Sequence, residues 1–90
     1  MASYKLVIKR SAAKEIESID RKKTRQRVME RVRELAANSR PHGCEKLSGK
    51  YQRYRIRQGP IRILYEIKDE ELVVYIVKVA DRRDVYKRLT

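Results

Sequence analysis

Three arginines recur at alternate positions in two neighbouring strand-like runs. Arg55 and Arg57 lie in Tyr54-Arg55-Ile56-Arg57, and Arg62 lies in Ile61-Arg62-Ile63-Leu64-Tyr65. Arg82 and Arg83 follow the last apolar run, with Tyr86 just beyond them. A guanidinium engages two phosphate oxygens at once and stays charged near neutrality. Gathered guanidiniums therefore suit a phosphodiester, whose cleavage builds negative charge on a pentacovalent phosphorus. If the strand is RNA, its own 2′-hydroxyl can attack. The protein then needs only to align that group and stabilise the developing charge, with no metal or cofactor.

Within this set Arg62 and Arg82 are the expected phosphate contacts. Arg55 and Arg57 would hold the flanking backbone or assist the hydroxyl, and Tyr86 would orient a base or a phosphate. Arg53, Arg83 and Lys87 flank the set as candidate RNA-binding residues, although a surface arginine such as Arg53 is more often simply solvated. Arg83 has the alternative of pairing with Asp84, and Tyr86 that of closing the core beside Val85. Proton transfer is the gap. Arginine, with a pKa above about 12, is a poor general base, and His42 stands far away in sequence.

These residues need a hairpin to bring them together. If Arg57 pairs with Arg62 across Gln58-Gly59-Pro60, Arg55 falls opposite Leu64 and all three arginines share one sheet face. Ile56, Ile61, Ile63 and Tyr65 then point the other way. A one-residue slip would separate Arg62 from Arg55 and Arg57.

The remaining chain supplies the scaffold. Tyr4 to Lys9 alternates as a first strand. Ser11 is the expected N-cap of a short helix through about Ile19, with Ala12, Ile16 and Ile19 on one stripe. Asp20 is the expected cap of a second helix, with Val28, Val32, Leu35 and Ala36 inward and an end at Asn38-Ser39-Arg40-Pro41. A loop from Pro41 to Lys50 follows, with Leu47 turned inward. Three strands come next, over Tyr51–Arg57, Ile61–Ile67 and Leu72–Val79. The last is apolar on both faces apart from Lys78, which marks an interior strand. Arg82–Leu89 is read as a short helix or extended closing segment. The order β-α-α-β-β-β predicts an α+β fold, an antiparallel sheet packed on two N-terminal helices; sequence does not fix the first strand's neighbours.

Composition sets the partner class. The chain carries 24 Lys+Arg against 12 Asp+Glu, a formal charge of +12 on 90 residues. Such an excess opposes compaction and points to a polyanion. Residues 1–90 are read as a single domain, and a chain of this size buries only about 60–65% of its unfolded surface. One cysteine, Cys44, precludes an internal disulfide, and with the single His42 it makes a structural zinc site a poor expectation. No apolar run is long enough to span a membrane, so a soluble, cytoplasmic protein is expected. Arg21, Lys22, Lys23, Arg25, Arg27, Arg31 and Arg33 form a basic helical stretch; Lys22, Lys23, Arg25 and Arg27 are candidate rRNA contacts, against the simpler view that they are a solvated face.

At these residues the chain resembles the RelE/ParE toxin superfamily, and within it the RelE-like branch. The resemblance covers nearly the whole chain: the first strand with Ser11-Ala12-Ala13-Lys14-Glu15, Leu47-Ser48-Gly49, the two arginine-bearing runs, and Val79-Ala80-Asp81-Arg82-Arg83-Asp84-Val85-Tyr86. It implies a cognate antitoxin and, for RelE-like members, ribosome-dependent cleavage of mRNA in the A site. The family's catalytic set maps onto Arg55, Arg57, Arg62, Arg82 and Tyr86. Relatives often carry lysines where Arg55 and Arg57 stand, one of them credited as general base, and His-Arg-Arg where this chain has Asp81-Arg82-Arg83. Two other functions remain open: a ParE-like inhibitor of DNA gyrase without nuclease chemistry, and an RNA-binding module that does not cut.

Overall fold

The computed structural model describes residues 3–49 and 51–81. Seven elements follow in order: β1 (Lys5–Ile8), α1 (Arg10–Glu17), α2 (Lys22–Ala37), β2 (Glu45–Lys46), β3 (Arg53–Gln58), β4 (Ile61–Lys68) and β5 (Val73–Asp81). The five strands form one sheet in the order β1-β5-β4-β3-β2. The expected α+β architecture is present, with three corrections.

First, the sheet is not wholly antiparallel. β1 runs parallel to β5, pairing Lys5 with Val73 and Ile8 with Ile76, because α1 and α2 carry the chain from β1 across the sheet before β3. β5 is thereby interior, as its apolar composition requires. Second, Glu45–Lys46, expected within a loop, forms a short edge strand on β3. Third, neither expected helix cap is used. Lys9 N–H still bonds Ile76 O at 3.0 Å while Lys9 O already accepts Ala13 N–H at 2.9 Å, so strand and helix meet at Lys9 and Ser11 falls inside α1. Arg25 N–H bonds Arg21 O at 3.0 Å, which makes Arg21 rather than Asp20 the cap position of α2.

The core lies between the helices and one sheet face. Ala12 and Ile16 of α1 and Val28, Val32 and Leu35 of α2 pack over Ile56, Ile61, Ile63, Tyr65, Ile67, Val74, Ile76 and Val79. Period two in the strands and a helical stripe in α2 put these residues on facing surfaces. Tyr65 is fully buried, stacks on Tyr54 with ring centroids 5.8 Å apart, and donates its hydroxyl hydrogen to Ser39 O at 2.8 Å. Burial, with Cys44 alongside, pushes the Tyr65 hydroxyl pKa up, so it stays a neutral donor. Arg40 clasps the far end: it lies 2.9 Å from Asp69 and 3.1 Å from the Tyr54 hydroxyl, and Tyr4 donates to Asp69 at 2.6 Å.

A bulge in β5 decides which way its second half faces. Tyr65 pairs with Ile76 but Leu64 pairs with Lys78, leaving Val77 as the extra residue. Without it Lys78 would face the helices and Val79 the solvent. With it Val79 is buried, and Ala80 sits opposite Arg62. β1 reaches only as far as Ile76, and Glu15 of α1 takes over where it stops. One carboxylate oxygen accepts Val79 N–H at 3.1 Å, and the other binds Lys78 Nζ at 3.1 Å. Among the described residues, no helix is long and apolar enough to cross a membrane.

Candidate nucleic-acid interface

The β3–β4 hairpin has the register that collects the arginines. Gln58 pairs with Ile61, Arg57 with Arg62, Arg55 with Leu64 and Arg53 with Glu66. Gly59 and Pro60 alone make the turn, and Gly59 has φ 59°. A two-residue turn with Gly first at positive φ and Pro second matches the twist of the flanking strands. Ile56, Ile61 and Ile63 are at most 1% exposed, so the alternate residues Arg55, Arg57 and Arg62 lie on the face away from the helices. Arg57 and Arg62 occupy the pair next to the turn-closing pair. There side chains stand closest, with Cα atoms typically about 4.5 Å apart.

Charge along this face is graded. Arg53 pairs with Glu66 at 3.7 Å and lies over the Tyr51 ring, 5.1 Å from its centroid. Arg55 Nη2 donates to Glu45 Oε2 across the β2–β3 pair. Among the described residues, Arg57 and Arg62 form no ion pair. The hairpin tip is therefore one place on this face where, among the described residues, positive charge has no ion-pair partner. Two like charges directly opposed cost roughly 0.2–1 kcal/mol, a penalty relieved when an anion bridges them.

Glu45 sits within the field of this cluster. Its carboxyl is held below the usual range first by the hydrogen bond from Arg55, then by the charges of Arg55, Arg57 and Arg62. Glu45 was not expected at the site. A two-residue strand has no periodicity to reveal it, and only its place opposite Arg55 does so.

The other expected residues fall elsewhere. Lys22, Lys23 and Arg27 are exposed on the first turns of α2, on the opposite side of the sheet from the arginine face. Arg25 is half-buried, donates Nη1–H to Ile19 O at 3.0 Å, and lines the cleft between α1 and α2 with Ile16 and Met29. No acidic residue occupies the first turn of α2, where the helix dipole favours one. Arg82, Arg83, Tyr86, Lys87 and the closing segment lie outside the described residues. The last described residue, Asp81, pairs with Ile61 beside Arg62. Among the described residues, no three His, Cys, Asp or Glu side chains gather as metal ligands.

Two helices backing a mostly antiparallel sheet is the architecture of the RelE/ParE toxin superfamily. The family profile described as "ParE toxin of type II toxin-antitoxin system, parDE" matches residues 6–86, and the chain belongs to that family. Among solved structures, the archaeal RelE–RelB complex from Pyrococcus horikoshii matches with a TM-score of 0.80 at 26% identity, over 89% of this chain and 96% of that one. The intact E. coli RelBE toxin–antitoxin complex matches at 0.75 and 25% identity, over 88% and 96%. The toxin–antitoxin complex RelBE2 from Mycobacterium tuberculosis matches at 0.76 over 89% and 99%, and at 22% identity that likeness is one of fold. A comparison with curated proteins found no match.

Proposed function

We propose that this chain is the toxin of a type II toxin–antitoxin pair and that it cleaves mRNA in the ribosomal A site. The RNA 2′-hydroxyl would be the nucleophile and guanidinium groups the stabilisers of the charged transition state. The observation that carries this is the Arg57–Arg62 cross-strand pair, with Arg55 beside it, on a face not covered by the helices. Arg62, with Arg82, would grip the scissile phosphate; Arg57, across the hairpin from Arg62, would assist the attacking hydroxyl at that same phosphate, and Arg55 would hold the flanking backbone. Tyr86 would orient a base or phosphate. Arg53, Arg83, Lys87 and the α2 residues Lys22, Lys23, Arg25 and Arg27 would contribute RNA and rRNA contacts, whose strength falls with salt. A cognate antitoxin is the expected partner, by similarity to the RelE–RelB complexes, and an acidic segment would neutralise this face as it binds.

The match to a ParE profile favours one alternative, inhibition of DNA gyrase without nuclease chemistry. Primer extension on mRNA in a programmed translation reaction, run beside a gyrase supercoiling assay, separates the two. A-site breaks with unimpaired supercoiling are expected. Intact mRNA with blocked supercoiling would reverse the assignment.

A further inference from the structure

Glu45 is out of keeping with the rest of the arginine face. β2 is only two residues long, yet it places Glu45 directly opposite Arg55. The pair is asymmetric: the Arg55 side chain is 24% exposed and fixed in β3, whereas Glu45 is 58% exposed on the sheet edge. The carboxylate is therefore the partner that can leave. A carboxylate and a phosphodiester each offer a guanidinium two oxygens in nearly the same geometry. Here Glu45 holds one such donor, Arg55 Nη2, through a single oxygen, and a phosphate oxygen binding at Nη2 would have to replace it.

We propose that Glu45 is a built-in phosphate mimic, which holds Arg55 where an RNA backbone phosphate binds and must be displaced for full engagement. Arg57 and Arg62, which have no described ion pair, take the first phosphate. The next phosphate along the strand reaches Arg55 only by expelling Glu45. The expelled carboxylate then remains near the RNA as an uncompensated negative charge, so the pair lowers affinity for any RNA offering backbone contacts alone. The inference rests on the RNA-directed function above and adds a restraint on it.

The test is binding of the free toxin to a short 2′-O-methyl RNA, which lacks the attacking hydroxyl, across a salt series. Each phosphate contact to single-stranded RNA contributes a slope of about 0.7 in log K against log salt, which is roughly fivefold in affinity between about 1 M and about 0.1 M salt. Glu45→Gln is expected to bind about fivefold tighter than wild type at about 0.1 M salt, with a slope steeper by about 0.7. Adding Arg55→Ala to Glu45→Gln should abolish the gain. Unchanged or weaker binding by Glu45→Gln, while Arg62→Ala binds more weakly than wild type, overturns the mimic and leaves the RNA-directed function standing. If Arg62→Ala also binds like wild type, the RNA-directed function itself fails. In a separate single-turnover assay on ribosome-bound mRNA, a cleavage rate that collapses in Glu45→Gln while RNA affinity is unchanged would make Glu45 a participant in the chemistry, and would likewise overturn the mimic.

Discussion

Arg62 and Ile63 are neighbours in β4 but face opposite ways, so alanine at each position separates the site from the scaffold. Ile63 is fully buried, among Val28, Val32 and Ile56 of the same core. Truncating a buried Ile to Ala costs about 2–5 kcal/mol, the upper half applying where the site cannot collapse. In a domain of this size each 1 kcal/mol moves Tm by about 4–8 °C, so a loss of about 3 kcal/mol lowers Tm by roughly 12–24 °C. Arg62 has no described ion pair and opposes Arg57, so its removal relieves repulsion while trimming some strand packing. The two effects are each below about 1 kcal/mol and oppose one another, leaving Tm within about 8 °C of wild type. Activity reverses the order. Loss of one donor to the transition-state charge costs about 10²–10³ in rate, whereas Ile63→Ala retains cleavage while it is folded. Thermal melts of both variants beside single-turnover mRNA cleavage make the comparison. Melting of Arg62→Ala as low as that of Ile63→Ala would mean that the hairpin register is wrong, and with it the shared arginine face.

Further outcomes follow from the same geometry. Asp69 is held below the usual carboxyl range mainly by the hydrogen bond from Arg40 and then by that from Tyr4. Its contribution to stability is complete above the unfolded value near about 4 and is lost as pH falls through the lower folded value. Asp69→Asn should therefore lower Tm near pH 7 and flatten the acid-side decline, read from melts at stepped pH. Glu15→Ala leaves the part-buried Val79 N–H without its acceptor, for a loss of about 1–3 kcal/mol in urea unfolding; Glu15→Gln keeps an acceptor oxygen and should recover most of it. Leu72 holds φ 56° and is 45% exposed. Leu72→Gly should raise Tm, because left-handed backbone costs a non-glycine residue roughly 1–2 kcal/mol. Deleting Val77 removes the bulge but leaves Lys78 opposite Leu64 and Val79 opposite Ile63, so the variant should still express as folded, soluble protein, whereas Val79→Lys should sharply reduce soluble expression.

The hairpin was the most legible part of the chain. Alternating Arg and Ile on both sides of Gly59-Pro60 leaves one register that buries the isoleucines, and the structure adopts it. Local signals were weaker where tertiary contacts competed. Ser11 and Asp20 are good caps in isolation, but the hydrogen bond of Lys9 to β5 starts α1 earlier, and α2 begins one residue later than Asp20 would set. The parallel β1–β5 pair and the bulge at Val77 depend on contacts distant in sequence, although Lys78 in an otherwise apolar run was a trace of the bulge. Leu72 read as strand because it is apolar, yet it closes the turn before β5. Glu45 carries no signal in the sequence because its meaning comes entirely from its neighbour on β3. Conversely, the general base that sequence could not supply is not supplied by the hairpin either, and orientation with electrostatics carries the proposed rate.

The most direct test of convergent guanidiniums on one phosphate is single-turnover cleavage of ribosome-bound mRNA by Arg57→Ala, Arg62→Ala and the double variant. Residues acting on one transition state are expected to be strongly non-additive, with each single change costing about 10²–10³ and the double change far less than the product. Wild-type rates in all three variants, with folded protein confirmed by melting, would contradict it.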